Sequence, residues 1–153
     1  PYTPPVGLIA GLAASVAMLE AEGLEAVYAR HARLAEGVRR AVFAWGLTPF
    51  AARSDLYSDT VTAVRVPEGA DGSALVALAA EKYGMAFGTG LGEVQGRVFR
   101  IGHLGMLTEA LVLSGLAVAE MCMADLGWGV RLGSGVAAAQ EFYRGAGALA
   151  RAA

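Results

Sequence analysis

Cysteine and lysine occur once each in this chain, as Cys122 and Lys82, and histidine twice, as His31 and His103. A single cysteine excludes an intrachain disulfide, and its place in an apolar helical run reads as a small core residue suited to a reducing compartment. His31 and His103 lie too far apart in sequence for metal-ligand spacing, so no metal site is expected. Lys82 stands in the polar setting Glu81-Lys82-Tyr83 at a helix end, the ordinary home of a solvated cation. Charge is scarce too: 17% of residues are charged, against roughly 25% in an average soluble domain. The only adjacent basic pair is Arg39–Arg40 and the net charge is −2. No concentrated positive face is available for nucleic acid. The first residues lack a secretory signal pattern, so the expected location is cytoplasmic.

What is abundant is apolar surface. Hydrophobic residues make up 56% of the chain and mean hydropathy is +0.49. A domain of this size has much surface to cover, so this surplus implies a partner: another domain, another subunit, or both. The run Leu107–Gly127 invites a membrane reading. It contains Glu109, Glu120 and Asp125 and lacks flanking basic anchors, which favours a buried helix and no membrane partner.

Length predicts one domain, without repeats. Pro4 and Pro5 force an extended or turn entry. Leu8, Leu12, Val16 and Leu19 then recur at helical spacing to Gly23. A second helix puts Leu24, Val27, His31, Leu34, Val38, Val42 and Trp45 on one face and stops at Gly46. Thr60–Val66 is rich in β-branched residues and is the clearest strand. Asp71 or Ser73 caps a helix to about Lys82, which Gly84 ends. Met85–Phe87 reads as a short strand, Gly88–Gly92 as a turn, and Arg97–Ile101 as a further strand. Thr108 caps a long apolar helix, and Ser134 a last one. The order predicts an α/β (α+β) domain: a small, mostly antiparallel sheet with helices on one side.

The stretch Arg97–Gly105, Arg-Val-Phe-Arg-Ile-Gly-His-Leu-Gly, carries most of the chemistry. A buried-looking strand (Val98, Phe99, Ile101) holds Arg100 and runs into Gly102 and Gly105. A guanidinium is a planar fork of donors that matches a carboxylate in two parallel hydrogen bonds. Arg100 therefore reads either as an anchor for a small acid or as half of a structural ion pair. His31, on an apolar helix face, reads as a packed or partly exposed histidine, and His103 is not read as catalytic. Gly88–Gly92 is too short for a phosphate-binding fingerprint; it makes a tight turn or lets backbone approach a ligand. Ser134 has no nearby His and Asp pattern. Glu81, Glu93 and Glu109 show no carboxylate pairing.

Six separated stretches, in order, resemble one family. They are Pro1-Tyr2-Thr3-Pro4-Pro5-Val6, Glu22-Gly23-Leu24-Glu25 with Arg30-His31, Ala44-Trp45-Gly46-Leu47, Thr60–Val64, Gly88–Gly92 and Arg97–Gly105. Together they resemble the C-terminal part of class V, fold-type I aminotransferases, in the serine–, alanine– and aspartate–glyoxylate branch. The resemblance implies a pyridoxal-phosphate enzyme whose cofactor is an electron sink, held by a Schiff-base lysine in the large domain. Lys82 does not match that lysine, and the aspartate on the pyridine nitrogen has no counterpart. The chain is therefore expected to be inactive alone, with no catalytic residue of its own. Residues 1–153 would form the small domain, with 1–45 linking from the large domain.

Two roles carry over by resemblance. Arg100 matches the arginine that binds the substrate α-carboxylate. Thr3 matches a hydroxyl residue on the cofactor phosphate of the neighbouring subunit, with Tyr2 as companion; read locally, Thr3 is equally a turn or cap hydroxyl. Implied partners are small amino acids and 2-oxo acids, the large domain, and a second subunit in a homodimer. The alternative is a non-catalytic fragment or interaction module pairing with a separate large-domain polypeptide. A lyase or desulfurase relative would need a reactive cysteine in a loop, whereas Cys122 lies in an apolar helix.

Overall fold

The computed structural model describes residues 3–145. It divides into two compact units, Pro1–Arg30 and His31–Ala153. Helices α1 (Val6–Glu22) and α2 (Leu24–Ala44) meet at Gly23, whose φ of +84° lies in the left-handed region that glycine tolerates. No residue of α1 is buried. Its apolar residues go all the way round, and Leu8, Leu12 and Val6 are among the most exposed large hydrophobics of the chain.

The second unit is built on a four-stranded antiparallel sheet in the order β1-β2-β4-β3. Its strands are β1 (Thr48–Pro49), β2 (Val61–Arg65), β3 (Gly88–Thr89) and β4 (Val98–Gly102). Side chains alternate across a strand, and here Thr62, Val64, Phe99 and Ile101 are buried. Against them lies one hydrophobic core that includes Leu34, Val38 and Val42 of α2. Leu75 of α3 (Gly72–Tyr83), Leu116 and Met123 of α4 (Glu109–Asp125), and Ala139 of α5 (Ser134–Gly145) complete it. The helices thus cover one face of the sheet, as the element order predicts. Phe99 is fully buried, with the rings of Phe87 and Trp128 at 6.2 and 6.3 Å.

Helix ends follow local chemistry. Asp71 accepts from the Ser73 N–H at 2.8 Å, Gly84 closes α3 at φ +65°, and Thr108 accepts from the Leu111 N–H at 3.3 Å. Three details depart from the sequence reading. Met85–Phe87 is irregular, and the strand falls instead on Gly88–Thr89, where it pairs with Arg100 and Phe99. Thr48–Pro49 forms an edge strand, a position where proline is tolerated. Ser134 does not cap α5: its hydroxyl donates to the Arg131 carbonyl at 2.7 Å.

The cap of α5 comes instead from Glu120, buried in α4. Its carboxylate accepts from the backbone N–H groups of Gly133, Gly135 and Val136 at 2.6, 2.6 and 3.1 Å. It also accepts from Trp45 Nε1 at 2.9 Å. A negative charge beside the first N–H groups of a helix satisfies donors that have no intrahelical partner. Among the described residues, no single helix is long and apolar enough to cross a membrane.

Candidate functional site

Arg100 is the central residue of β4 and alternates with the buried Phe99 and Ile101, so it projects from the sheet face away from the helices. Its cross-strand neighbours are small: Ala63 on β2 and Gly88 on β3. The half-buried side chain lies over Gly88, where an added Cβ would stand 3.0 Å from Nε, 3.1 Å from Cβ and 3.3 Å from Cζ of Arg100. Nε donates to the Thr89 carbonyl at 2.9 Å. Among the described residues no carboxylate pairs with Arg100, and no other hydrogen bond engages its two Nη groups. Of the two local readings, the structural ion pair is therefore the one this geometry disfavours. An arginine fixed at Nε, with both Nη groups unengaged by the described residues, can receive a carboxylate in a two-point grip.

The strand that carries Arg100 is held at its far end by two histidines. The His103 ring is fully buried. Nδ1 lies 3.0 Å from the Asp59 carbonyl and Nε2 lies 2.9 Å from the Thr62 hydroxyl. Nδ1 carries the proton and donates to the carbonyl, so Nε2 accepts from Thr62. Burial, chiefly, holds the His103 pKa below its ordinary value, against the raising effect of the Asp59 carbonyl. His31 Nε2 accepts from the Gly105 backbone N–H at 3.0 Å. Both histidines are thus packed groups, and both brace the segment Gly102–Gly105 behind the arginine strand.

The other residues named by the sequence have settings of their own. Thr3 is exposed at the start of the first unit, and Tyr2 lies outside the described residues. Lys82 ends α3, and its ammonium donates to Asp125 Oδ2 at 2.7 Å. That hydrogen bond raises its pKa, whereas an amine that forms a Schiff base must lose its proton. Lys82 therefore does not fit as a covalent anchor for pyridoxal phosphate, and among the described residues there is no other lysine. Burial pushes the Cys122 thiol up, away from the reactive thiolate that a desulfurase needs. Among the described residues no cluster of three or more His, Cys, Asp or Glu side chains is placed to hold a metal.

The chain is 67% identical over 144 residues to an L-aspartate–glyoxylate aminotransferase of Paracoccus denitrificans. The match spans 94% of this chain and 36% of that protein. The chain belongs to the class V aminotransferases and matches their C-terminal part. A serine–glyoxylate aminotransferase of Hyphomicrobium methylovorum is 52% identical over 143 residues, again 94% of this chain and 35% of the relative. Among solved structures, a pyridoxamine–pyruvate aminotransferase from Mesorhizobium loti superposes with a TM-score of 0.88 at 38% identity. That superposition covers 94% of this chain and 37% of the other. No protein-family model matches. The chain thus spans about a third of the length of the curated relatives it matches.

The sequence alone singles out Arg100. It missed Gly88 as the residue beneath the guanidinium and Glu120 as the cap of α5. The signal for Gly88 was the glycine-rich run itself, read as a turn because the register with β4 is not visible in the chain. The signal for Glu120 was a lone acid inside an apolar helix.

Proposed function

We propose that the chain is the C-terminal domain of a pyridoxal-phosphate-dependent aminotransferase that passes an amino group from serine, aspartate or alanine to glyoxylate. The observation that carries the reading is Arg100, anchored at Nε on the open face of the sheet with no carboxylate of its own among the described residues. In the complete enzyme Arg100 grips the carboxylate shared by amino acid and 2-oxo acid and orients the reacting carbon, a contribution of proximity. Thr3, with Tyr2, contributes a hydroxyl to the cofactor phosphate across a homodimer. Residues 1–45 link this domain to the large domain, which supplies the covalent anchor that Lys82 does not fit. The exposed apolar surface of α1 supports a partner of this kind, and the enzyme is placed in the cytoplasm.

The test is steady-state kinetics of the full-length enzyme. Arg100→Ala is expected to raise KM for the amino donor and for glyoxylate by roughly tenfold to a hundredfold or more, the loss of a charge-assisted two-point contact. Arg100→Lys, which keeps the charge but not the fork, should fall between. Unchanged KM values for both substrates would overturn the role. Lys82 favours a second reading, a non-catalytic module that pairs with a separate large-domain polypeptide. Co-purification of the chain with such a polypeptide supports it, and a continuous reading frame that includes the large domain removes it.

A further inference from the structure

We propose that Gly88 is a positioning residue for substrate recognition: its missing side chain, with the Thr89 carbonyl, fixes the Arg100 guanidinium so that a carboxylate is received end-on by the two Nη groups. The inference rests on the role proposed above for Arg100 and adds the residue that aims it.

Gly88 and Arg100 are direct cross-strand partners on β3 and β4. An arginine at the centre of a strand has four rotatable bonds and would ordinarily sample many directions from an open sheet face. Here two features remove that freedom. The first is the carbonyl of Thr89, which accepts from Nε at 2.9 Å and so occupies the side edge of the guanidinium. The second is the floor beneath it. With glycine at 88, the aliphatic stem and guanidinium settle onto the β3 backbone; a Cβ there would lie within 3.0–3.3 Å of Nε, Cβ and Cζ of Arg100. Such contacts are closer than ordinary carbon van der Waals separation. The arginine would have to lift by several tenths of an ångström, stretching the bond to Thr89.

The backbone does not demand this glycine. Ten of the described glycines have positive φ, and Gly88 is not among them. Gly88 is an edge position in a strand, where a side chain would normally strengthen pairing. What the glycine supplies is close approach by the arginine stem. Because Nε is taken, the end-on edge, Nη1 and Nη2, is the one left for a two-point grip.

The experiment is a KM-against-kcat comparison in the full-length enzyme. Gly88→Ala, Gly88→Val and Arg100→Gln are measured, together with the double variant Gly88→Ala/Arg100→Gln. Gly88→Ala is expected to raise KM for both carboxylate substrates by about three- to tenfold, and Gly88→Val by more, as expected of a weakened charge-assisted contact. In the Arg100→Gln background Gly88→Ala should add nothing, since the two act through one contact. If Arg100→Gln raises KM while both Gly88 variants leave it unchanged, the positioning role is overturned and the carboxylate role of Arg100 stands. If Arg100→Gln itself leaves KM unchanged, the underlying reading fails. A loss of kcat at constant KM in both Gly88 variants, or an equal KM increase in the Arg100→Gln background, would mark a structural effect and overturn the proposal.

Discussion

Single residues here are set by what their neighbours leave out as much as by what they provide. Arg100 has only the small Ala63 and Gly88 as cross-strand neighbours, and its two Nη groups are unengaged by the described residues. His103, by contrast, is enclosed, and its lowered pKa has a consequence with a definite sign. Above the ordinary histidine value of 6.5 the ring is neutral in both folded and unfolded chains, and stability is at its plateau. Below it the unfolded chain takes a proton first, so stability falls with pH until the lowered folded value is reached. One proton limits that slope to about 1.4 kcal/mol per pH unit. Urea midpoints of the chain should therefore decline from pH 6.5 towards pH 5, and the decline should flatten in His103→Gln, which cannot titrate. An equal slope in the two proteins would place the acid sensitivity elsewhere. From sequence His31 reads as packed or partly exposed, and the burial of His103 is not legible there. Neither are their partners, Thr62 and the Gly105 N–H, because the pairing joins segments distant in the chain.

Among the elements, those with strong local signals were legible and those fixed by register were not. Asp71, Gly84 and Thr108 announce helix ends through side-chain and backbone chemistry that acts within four residues, and all three do so in the structure. The strand Thr60–Val66 likewise follows from β-branched composition, and β2 falls within it. The edge strands β1 and β3 are two residues each and take their conformation from the neighbours they pair with. The start of α5 is the clearest tertiary override: the local candidate, Ser134, bonds backwards, and a carboxylate from α4 caps the helix. Replacing Glu120 by Ala strands the Trp45 N–H and three backbone donors at once. The expected loss of stability is about 3 kcal/mol or more, since each buried unsatisfied donor costs about 1–3 kcal/mol. Gly135→Ala attacks the same junction differently, because its Cβ would stand 2.3 Å from Trp45 Nε1. Overpacking of this kind costs typically ~1–3 kcal/mol. Denaturant unfolding of both variants measures this; a Glu120→Ala chain as stable as the parent would show that the cap is dispensable.

For the whole molecule, the apolar surplus noted in the composition is resolved into two populations. One part is the core beneath the sheet, from Leu34 to Tyr143. The other is unburied, and α1 concentrates it in a helix with no buried residue and no polar stripe. A helix that is apolar all round belongs inside a larger structure, which agrees with relatives of which this chain spans about a third. The side chains divide in the same way: Arg100 pairs with no carboxylate among the described residues, as the proposed grip requires, while the lone lysine is held as an ammonium by Asp125. Mixing the purified chain with pyridoxal phosphate and reducing with borohydride should therefore give no stoichiometric label at Lys82 and no persistent Schiff-base absorbance. The ammonium must lose both its proton and its ion pair before it can attack the aldehyde, and its raised pKa works against the first step. Asp125→Asn removes the partner that raises the pKa and should increase adventitious labelling without bringing it to one per chain. A full equivalent on Lys82 in the parent chain would mean that the cofactor finds a complete site within these residues, and the proposed division between a carboxylate-binding domain and a cofactor-bearing one would fall.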